Sequence, residues 1–363
     1  QRLILVQFAW MTLLLAQNSP NVPLLVQVNQ YPGVGYNDCW GYTSPSGREY
    51  ALMGLSNAMA VVEITDPTSP SIVGSISHSG SLWADIKVYQ DVAYVSNESG
   101  GGIDIVDLAQ VDAGIVTLVQ RMTTGGLSSV HNIAVDETSG FLYLCGGNIN
   151  GGRIVAYNLS NPRYPTLAGQ MSNGPTLHDA QVVTYTSGPY TGRQICFGAA
   201  GGSGLYILDV TNKSNMFMVA QTSYSGASYS HQCWLSEDRN YLYLNDELDN
   251  IAQTRVFDVS DISNPVHVNS FGWGVNSIDH NLYVHGDLLY EANYTSGLRV
   301  FDLSNDPVNP PLIAYFDTYP ESNSESFNGL WSCFPYFESG TVIGSDIERG
   351  LFVWKIGQPD PCD

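Results

Sequence analysis

Apolar and polar residues alternate at period two through short stretches spread along the whole chain. The clearest of them each run into a turn. They read MAVVEITDP (59–67), GIDIVDL (102–108), RIVAYNLSNP (153–162), LYILDVTNKS (205–214), TRVFDVSDISNP (254–265), LRVFDLSNDP (298–307) and LFVWKI (351–356). Successive side chains on a strand point to opposite faces, so this alternation in Val-, Ile-, Tyr- and Phe-rich segments predicts strands. Equivalent positions are Glu63, Asp107, Asn158, Asp209, Asp258, Asp302 and Lys355, at spacings of 44, 51, 51, 49, 44 and 53 residues. A period of about 40–50 residues made of short strands predicts a β-propeller and excludes a solenoid of helix pairs.

Each unit holds four strand-like segments, here labelled a to d. In the fifth unit they are HQCWLSED (231–238), NYLYLND (240–246), TRVFDVS (254–260) and PVHVNSF (265–271). Asp, Asn, Ser and Pro fill the c–d turns, where a short side chain can accept from nearby backbone N–H groups. The seventh unit stops after strand c and lacks a strand d. The segment NVPLLVQV (21–28) matches the d pattern of NPPLIAYF (309–316) and supplies the missing strand. The fold class is therefore all-β: a seven-bladed β-propeller over residues 17–357, closed by the N-terminal strand joining blade 7. Closure removes exposed sheet edges.

The c-strand segments resemble the LVIVD repeat. The chain as a whole resembles the choice-of-anchor B family through NDCWGYTSPSGREYALMG (37–54), SLWADIKVY (81–89), HDAQVV (178–183), RQICF (193–197), DHNLYV (279–284), EANYTSGLR (291–299), YFDTYPE (315–321) and SDIERGLFV (345–353). The resemblance implies an exported propeller held at the cell surface by varied C-terminal anchors, and implies no defined activity. Residues 358–363 form a short tail without a sorting motif or apolar stretch, so simple secretion is the expectation for this chain.

Composition narrows the partners. The net charge is −21, from 13 basic and 34 acidic residues. Such a chain repels phosphate backbones and anionic lipid, which excludes nucleic acid as an expected partner and leaves cations, glycans and extracellular proteins. The apolar run at residues 3–16, preceded by Arg2 and followed by QNSPNVP, reads as a signal peptide over residues 1–16, and no later stretch could span a membrane. Six cysteines, at 39, 145, 196, 233, 333 and 362, contain no C-x-x-C pair. Disulfides and buried free thiols both remain open for them.

Candidate chemistry gathers where strand a begins, because those starts converge on the propeller axis. Aligned, they give Asn37, Ala84, His131, His178, His231, His280 and Asn328, followed by Asp38, Asp85, Asn132, Asp179, Gln232, Asn281 and Gly329. Four of the seven histidines share the first column. Neutral imidazole is a common transition-metal ligand, so His131, His178, His231 and His280 are candidate ligands of an axial ion, with Asp38, Asp85 and Asp179 as ligands or supporting acceptors. The competing expectation is a ring of hydrogen bonds from these side chains to the neighbouring blade.

The b–c connections on the same face carry Glu98, Asp246, Glu247, Asp249, Glu291, Asp346 and Glu348, an oxygen-rich set suited to Ca2+ or to a ligand on the loop-rich top face. Solvated acidic loops are the plain alternative. Trp40, Trp83, Trp234 and Trp331 lie near strand-a starts, and their even placement predicts packing between blades. No nucleophile elbow, H-E-x-x-H motif or P-loop is present. The expected function is a secreted or cell-surface binding or scaffold module. A histidine-ligated metal enzyme and a structural matrix component are the alternatives.

Overall fold

The computed structural model describes residues 18–249 and 251–357. The expected signal peptide (1–16), the tail (358–363) and Cys362 lie outside them. The strands form seven four-stranded antiparallel sheets, six of them built from consecutive strands. Blade 1 comprises Tyr36–Thr43, Glu49–Leu55, Ala58–Glu63 and Ser71–Ser77 as strands a to d. Blade 7 comprises Leu330–Phe334, Thr341–Asp346 and Gly350–Lys355, with Leu24–Val28 as its outermost strand. The ring is closed by the N-terminal strand, as the sequence pattern predicts.

Burial explains the residue pattern. Glu49–Leu55 is buried on both faces, because an inner strand lies between two neighbouring blades, whereas the outer Ser71–Ser77 alternates toward solvent. The core is thus a set of layers between blades, each filled by Val, Ile, Leu and Tyr. Asp107, Asn158, Asp209, Asp258 and Asp302 end strand c, and each accepts from the backbone N–H two residues on, at 2.7–3.0 Å. That is the turn chemistry expected of Asp and Asn.

The N-terminal strand is a true strand d. Every c–d pair carries one register shift at the same place: Val61/Val62 in blade 1, Ile105/Val106 in blade 2, and Leu24/Val26 in the closing strand. Such bulges increase the local twist. Gly350, at φ +86°, opens strand c, and a Cβ there would meet the Val28 carbonyl at 2.3 Å. Gly102 and Gly297 make the same approach to the ends of their own d strands, at Met122 and Phe316. Residues ahead of the closing strand also hold blade 6: Ser19 N–H donates to the Tyr315 carbonyl (2.9 Å) and Asn21 Nδ2 to the Ile313 carbonyl (3.2 Å).

The five described cysteines are all free and buried. They sit on strands a and b facing adjacent blades, where they pack as small apolar groups.

Candidate functional site

Strand a runs down the axis, and the channel it lines has two funnels joined by a narrow waist. The top funnel, on the side of the b–c connections, encloses about 690 Å³. The opposite funnel encloses about 590 Å³ and is lined by Trp40, Lys87, Gln181, Trp234, Arg239 and Tyr336 among others.

The four candidate histidines line the top funnel as a continuous arc. Ring centroids lie 4.1 Å apart for His131 and His178, 4.2 Å for His178 and His231, and 4.1 Å for His231 and His280. Both expectations for this column describe part of the arrangement. His178 Nδ1 lies 2.9 Å from the His231 carbonyl, and His280 Nδ1 lies 2.6 Å from the Trp331 carbonyl. His231 leans toward the His280 carbonyl in the same sense without a well-formed bond. These are ties to the next blade. A carbonyl only accepts, so Nδ1 of His178 and His280 carries the hydrogen and Nε2 is left with a lone pair.

His231 Nε2 and His280 Nε2 both face Glu247, at 3.9 and 3.5 Å from Oε1. Among the described residues, His231, Glu247 and His280 present ligand atoms that all lie within 4.8 Å of one another. Tyr294 donates its hydroxyl to the same Glu247 oxygen (3.0 Å). Tyr294 is buried, has φ +41°, and is pinned by two backbone bonds to Leu330. Left-handed backbone at a bulky residue persists only where its surroundings enforce it.

Burial sets the protonation of this floor. It pushes His280 down to about 3 and holds His178 and His231 well below the usual imidazole range, with the neighbouring histidines adding to the effect. The imidazoles of His178, His231 and His280 are therefore neutral at physiological pH. Burial pushes Glu247 up to about 7, against the opposing hydrogen bond from Tyr294. On the far side of the arc, Glu98 Oε1 stands 2.5 Å from His131 Nδ1.

The three aspartates of the second column sit at the waist, below the histidines. Ile86 N–H donates to Asp38 Oδ2 (2.8 Å) and Ile133 N–H to Asp85 Oδ2 (3.0 Å), each in the following blade. Asp179 accepts from the N–H of Ala180 (2.6 Å). Lys87 pairs with Asp85 and lies 3.9 Å from Asp38. Burial opposes the Lys87 charge, but Asp85, Asp38 and Asp179 outweigh it and hold the ammonium up. Burial raises Asp38 well above the carboxylate range and Asp179 to about 7. The waist is a charge-paired plug. Lys87, one of three lysines in the chain, was visible in the sequence as an isolated cation inside an apolar strand.

The remaining acidic candidates disperse. Asp246 accepts from Tyr224 Oη (2.6 Å) and from the N–H groups of Ser228 and Tyr229 (2.7 Å each), which fastens the loop before strand a of blade 5. Asp249 pairs with Arg255. Glu291 is fully buried between blades 5 and 6, against Thr254 and Asn293. Asp346 accepts from the N–H groups of Glu348 and Arg349, and Glu348 from Asn328 and Gly329. Glu98 and Glu247 are the two of this set that line the top funnel.

In blade 7 the axial position belongs to Trp331, not to Asn328. Gly329, at φ +91°, lies so close to Tyr294 that a Cβ would meet its carbonyl at 2.4 Å. Residues 328–329 therefore spend themselves on the junction with blade 6, and strand a begins at Leu330 with a bulge before Ser332. Trp331 packs on His280, with ring centroids 5.0 Å apart. Trp40 and Trp234 both pack edge-on against Tyr283 across blades, at 5.7 and 5.0 Å. Trp83 departs from the expected packing: it is 51% exposed on the funnel rim, as is Phe327. Tyr229, Tyr294 and Phe327 are funnel residues that the strand pattern did not single out, since they lie in connections.

Four-stranded blades around an axial channel define a β-propeller, a fold that fits a binding or scaffold module in general. Two stretches, residues 47–77 and 198–223, match the family model of the LVIVD repeat, so the chain carries that repeat in two of its blades. The first match spans strands b to d of blade 1. The second spans the end of strand b through strand d of blade 4. No curated protein matches the chain. No helix among the described residues is long and apolar enough to cross a membrane.

Proposed function

We propose that this propeller is an exported binding module whose top funnel takes a neutral saccharide. The observation that carries this reading is the chemistry of the funnel wall. Trp83, Tyr229, Phe327 and Trp331 offer aromatic faces, the histidines and glutamates offer polar groups, and neither Lys nor Arg lines it. Apolar walls with a few fixed polar groups are the ordinary make-up of a ligand pocket. Anionic ligands are disfavoured by Glu98, Glu247 and the net charge of −21. Sugar rings stack their C–H faces on aromatic side chains and direct hydroxyls to acceptors such as Glu247. Export is supported by the signal-like run at residues 3–16 and by the likeness to surface-displayed propellers.

The test is tryptophan fluorescence of the full chain titrated with a panel of neutral α- and β-linked oligosaccharides. A saturable change that is weakened about tenfold in Trp83→Ala, the loss of one aromatic contact of about 1.4 kcal/mol, is expected. A blank panel, or binding unchanged in a Trp83→Ala/Phe327→Ala variant, overturns the reading. Fractionation of cells expressing the full chain checks export: recovery in the soluble cytoplasm alone refutes it.

A further inference from the structure

We propose that His231, His280 and Glu247 bind a divalent first-row transition metal ion at the floor of the top funnel, with open coordination positions facing the ligand space. The inference deepens the binding reading and rests on it for what fills those open positions. Three observations carry it.

The first is spacing. Donor atoms sharing one Zn2+ at about 2.0–2.1 Å stand roughly 3.0–3.4 Å apart. Glu247 Oε1 already lies 3.5 Å from His280 Nε2 and 3.9 Å from His231 Nε2. Small side-chain rotations close the set, and two imidazoles with one carboxylate suit Zn2+ or Fe2+.

The second is the direction of the lone pairs. His280 gives its Nδ1 hydrogen to the Trp331 carbonyl, so Nε2 faces Glu247 as an acceptor. Glu247 Oε1 is an acceptor too, already taking the Tyr294 hydroxyl. Acceptors thus face each other inside a buried floor, an arrangement that calls for a cation or a shared proton between them.

The third is support from behind. The carbonyl bonded to His280 Nδ1 and the hydroxyl bonded to Glu247 fix ring and carboxylate orientation, as outer partners do around bound metals. Glu247 comes from the b–c connection of blade 5, and the two histidines come from strand-a starts of blades 5 and 6. His131 and His178 continue the arc but lie beyond this set.

The experiment is calorimetric titration of the metal-stripped full chain with Zn2+ at neutral pH, with Co2+ absorption as a report of ligand type. One ion per chain is expected, with visible Co2+ bands. Both should disappear in His231→Ala/His280→Ala. Tyr294→Phe should weaken Zn2+ about tenfold, while His285→Ala, on the opposite side, should leave it unchanged. Thermal melting confirms that each variant is folded, and the near-isosteric Glu247→Gln provides a further folded variant in which Zn2+ must weaken. Wild type that binds no more Zn2+ than the double histidine variant identifies a shared proton and overturns the proposal. Saccharide binding that persists in chelator while Zn2+ fails refutes the metal site alone. Zn2+ binding with a blank saccharide panel refutes the saccharide reading alone.

Discussion

Glu291 gives the sharpest test of how this fold handles buried charge. It lies in strand b of blade 6, Leu288–Ala292, with no exposed surface. The Thr254 hydroxyl contacts both Glu291 Oε1 and Asn245 Oδ1, yet it has one hydrogen to give. A protonated Glu291 resolves this: its O–H donates to Thr254, whose hydrogen then goes to Asn245. Asn293 Nδ2 donates to the other oxygen at 2.9 Å. Burial accordingly pushes Glu291 up to about 7 from 4.5, against the hydrogen bonds of Thr254 and Asn293 and the charge of Arg299. Below pH 4.5 the carboxyl is protonated in both folded and unfolded chains, so no pH-dependent term arises. Between 4.5 and 7 only the unfolded chain releases the proton, which favours unfolding. Above about 7 the whole cost is present. A shift of about 2.5 units corresponds to about 3 kcal/mol. For a chain of this length that is about 4 °C in Tm. Glu291→Gln removes the titration and keeps the contacts, because its amide N–H donates to Thr254 and its carbonyl accepts from Asn293. Calorimetric melting at pH 4.5 and pH 8 should therefore show the variant gaining about 4 °C on the wild type across that interval. A gap that stays constant with pH means that Glu291 titrates alike in the folded and unfolded chains, and refutes the protonated network.

Other outcomes follow from closure and from the thiols. Gly350→Ala drives a Cβ into the Val28 carbonyl at φ +86°, so it should cost about 3 kcal/mol and release residues 18–28 to limited proteolysis. Gly340→Ala, at φ +76° with nothing within 4 Å, should cost only about 1 kcal/mol. Equal losses in the two variants would argue against a tightly packed closing strand. In a Cys362→Ser background, a thiol reagent should find no reactive cysteine in the native protein and five after denaturation. Burial raises each of those thiols above its usual range, and the thiolate is the reacting form. Fewer than five in denaturant would indicate a disulfide.

What the sequence determined by itself was periodic. A strand's alternation is local, so the c-strand repeat was countable, and counting exposed both the number of blades and the missing strand supplied by residues 21–28. The histidine column was legible for the same reason, since equivalent positions in a repeat face the same axis. The tertiary structure decided which atoms meet. Glu247 joins His231 and His280 only because the b–c connection of blade 5 folds over the start of blade 6. Glu291, as acidic and as near a connection as Glu247, points between blades and reaches no funnel. Asp38, Asp85 and Asp179 belong to the column next to that of the histidines, yet one step further along the strand they meet Lys87 and backbone N–H groups at the waist. Trp331 replaced Asn328 on the axis because a glycine must fill the tight junction beside Tyr294. Side-chain direction, burial and the choice between two imidazole nitrogens depend on neighbours about 50 residues away, and periodicity at that spacing specifies the column without specifying its contacts.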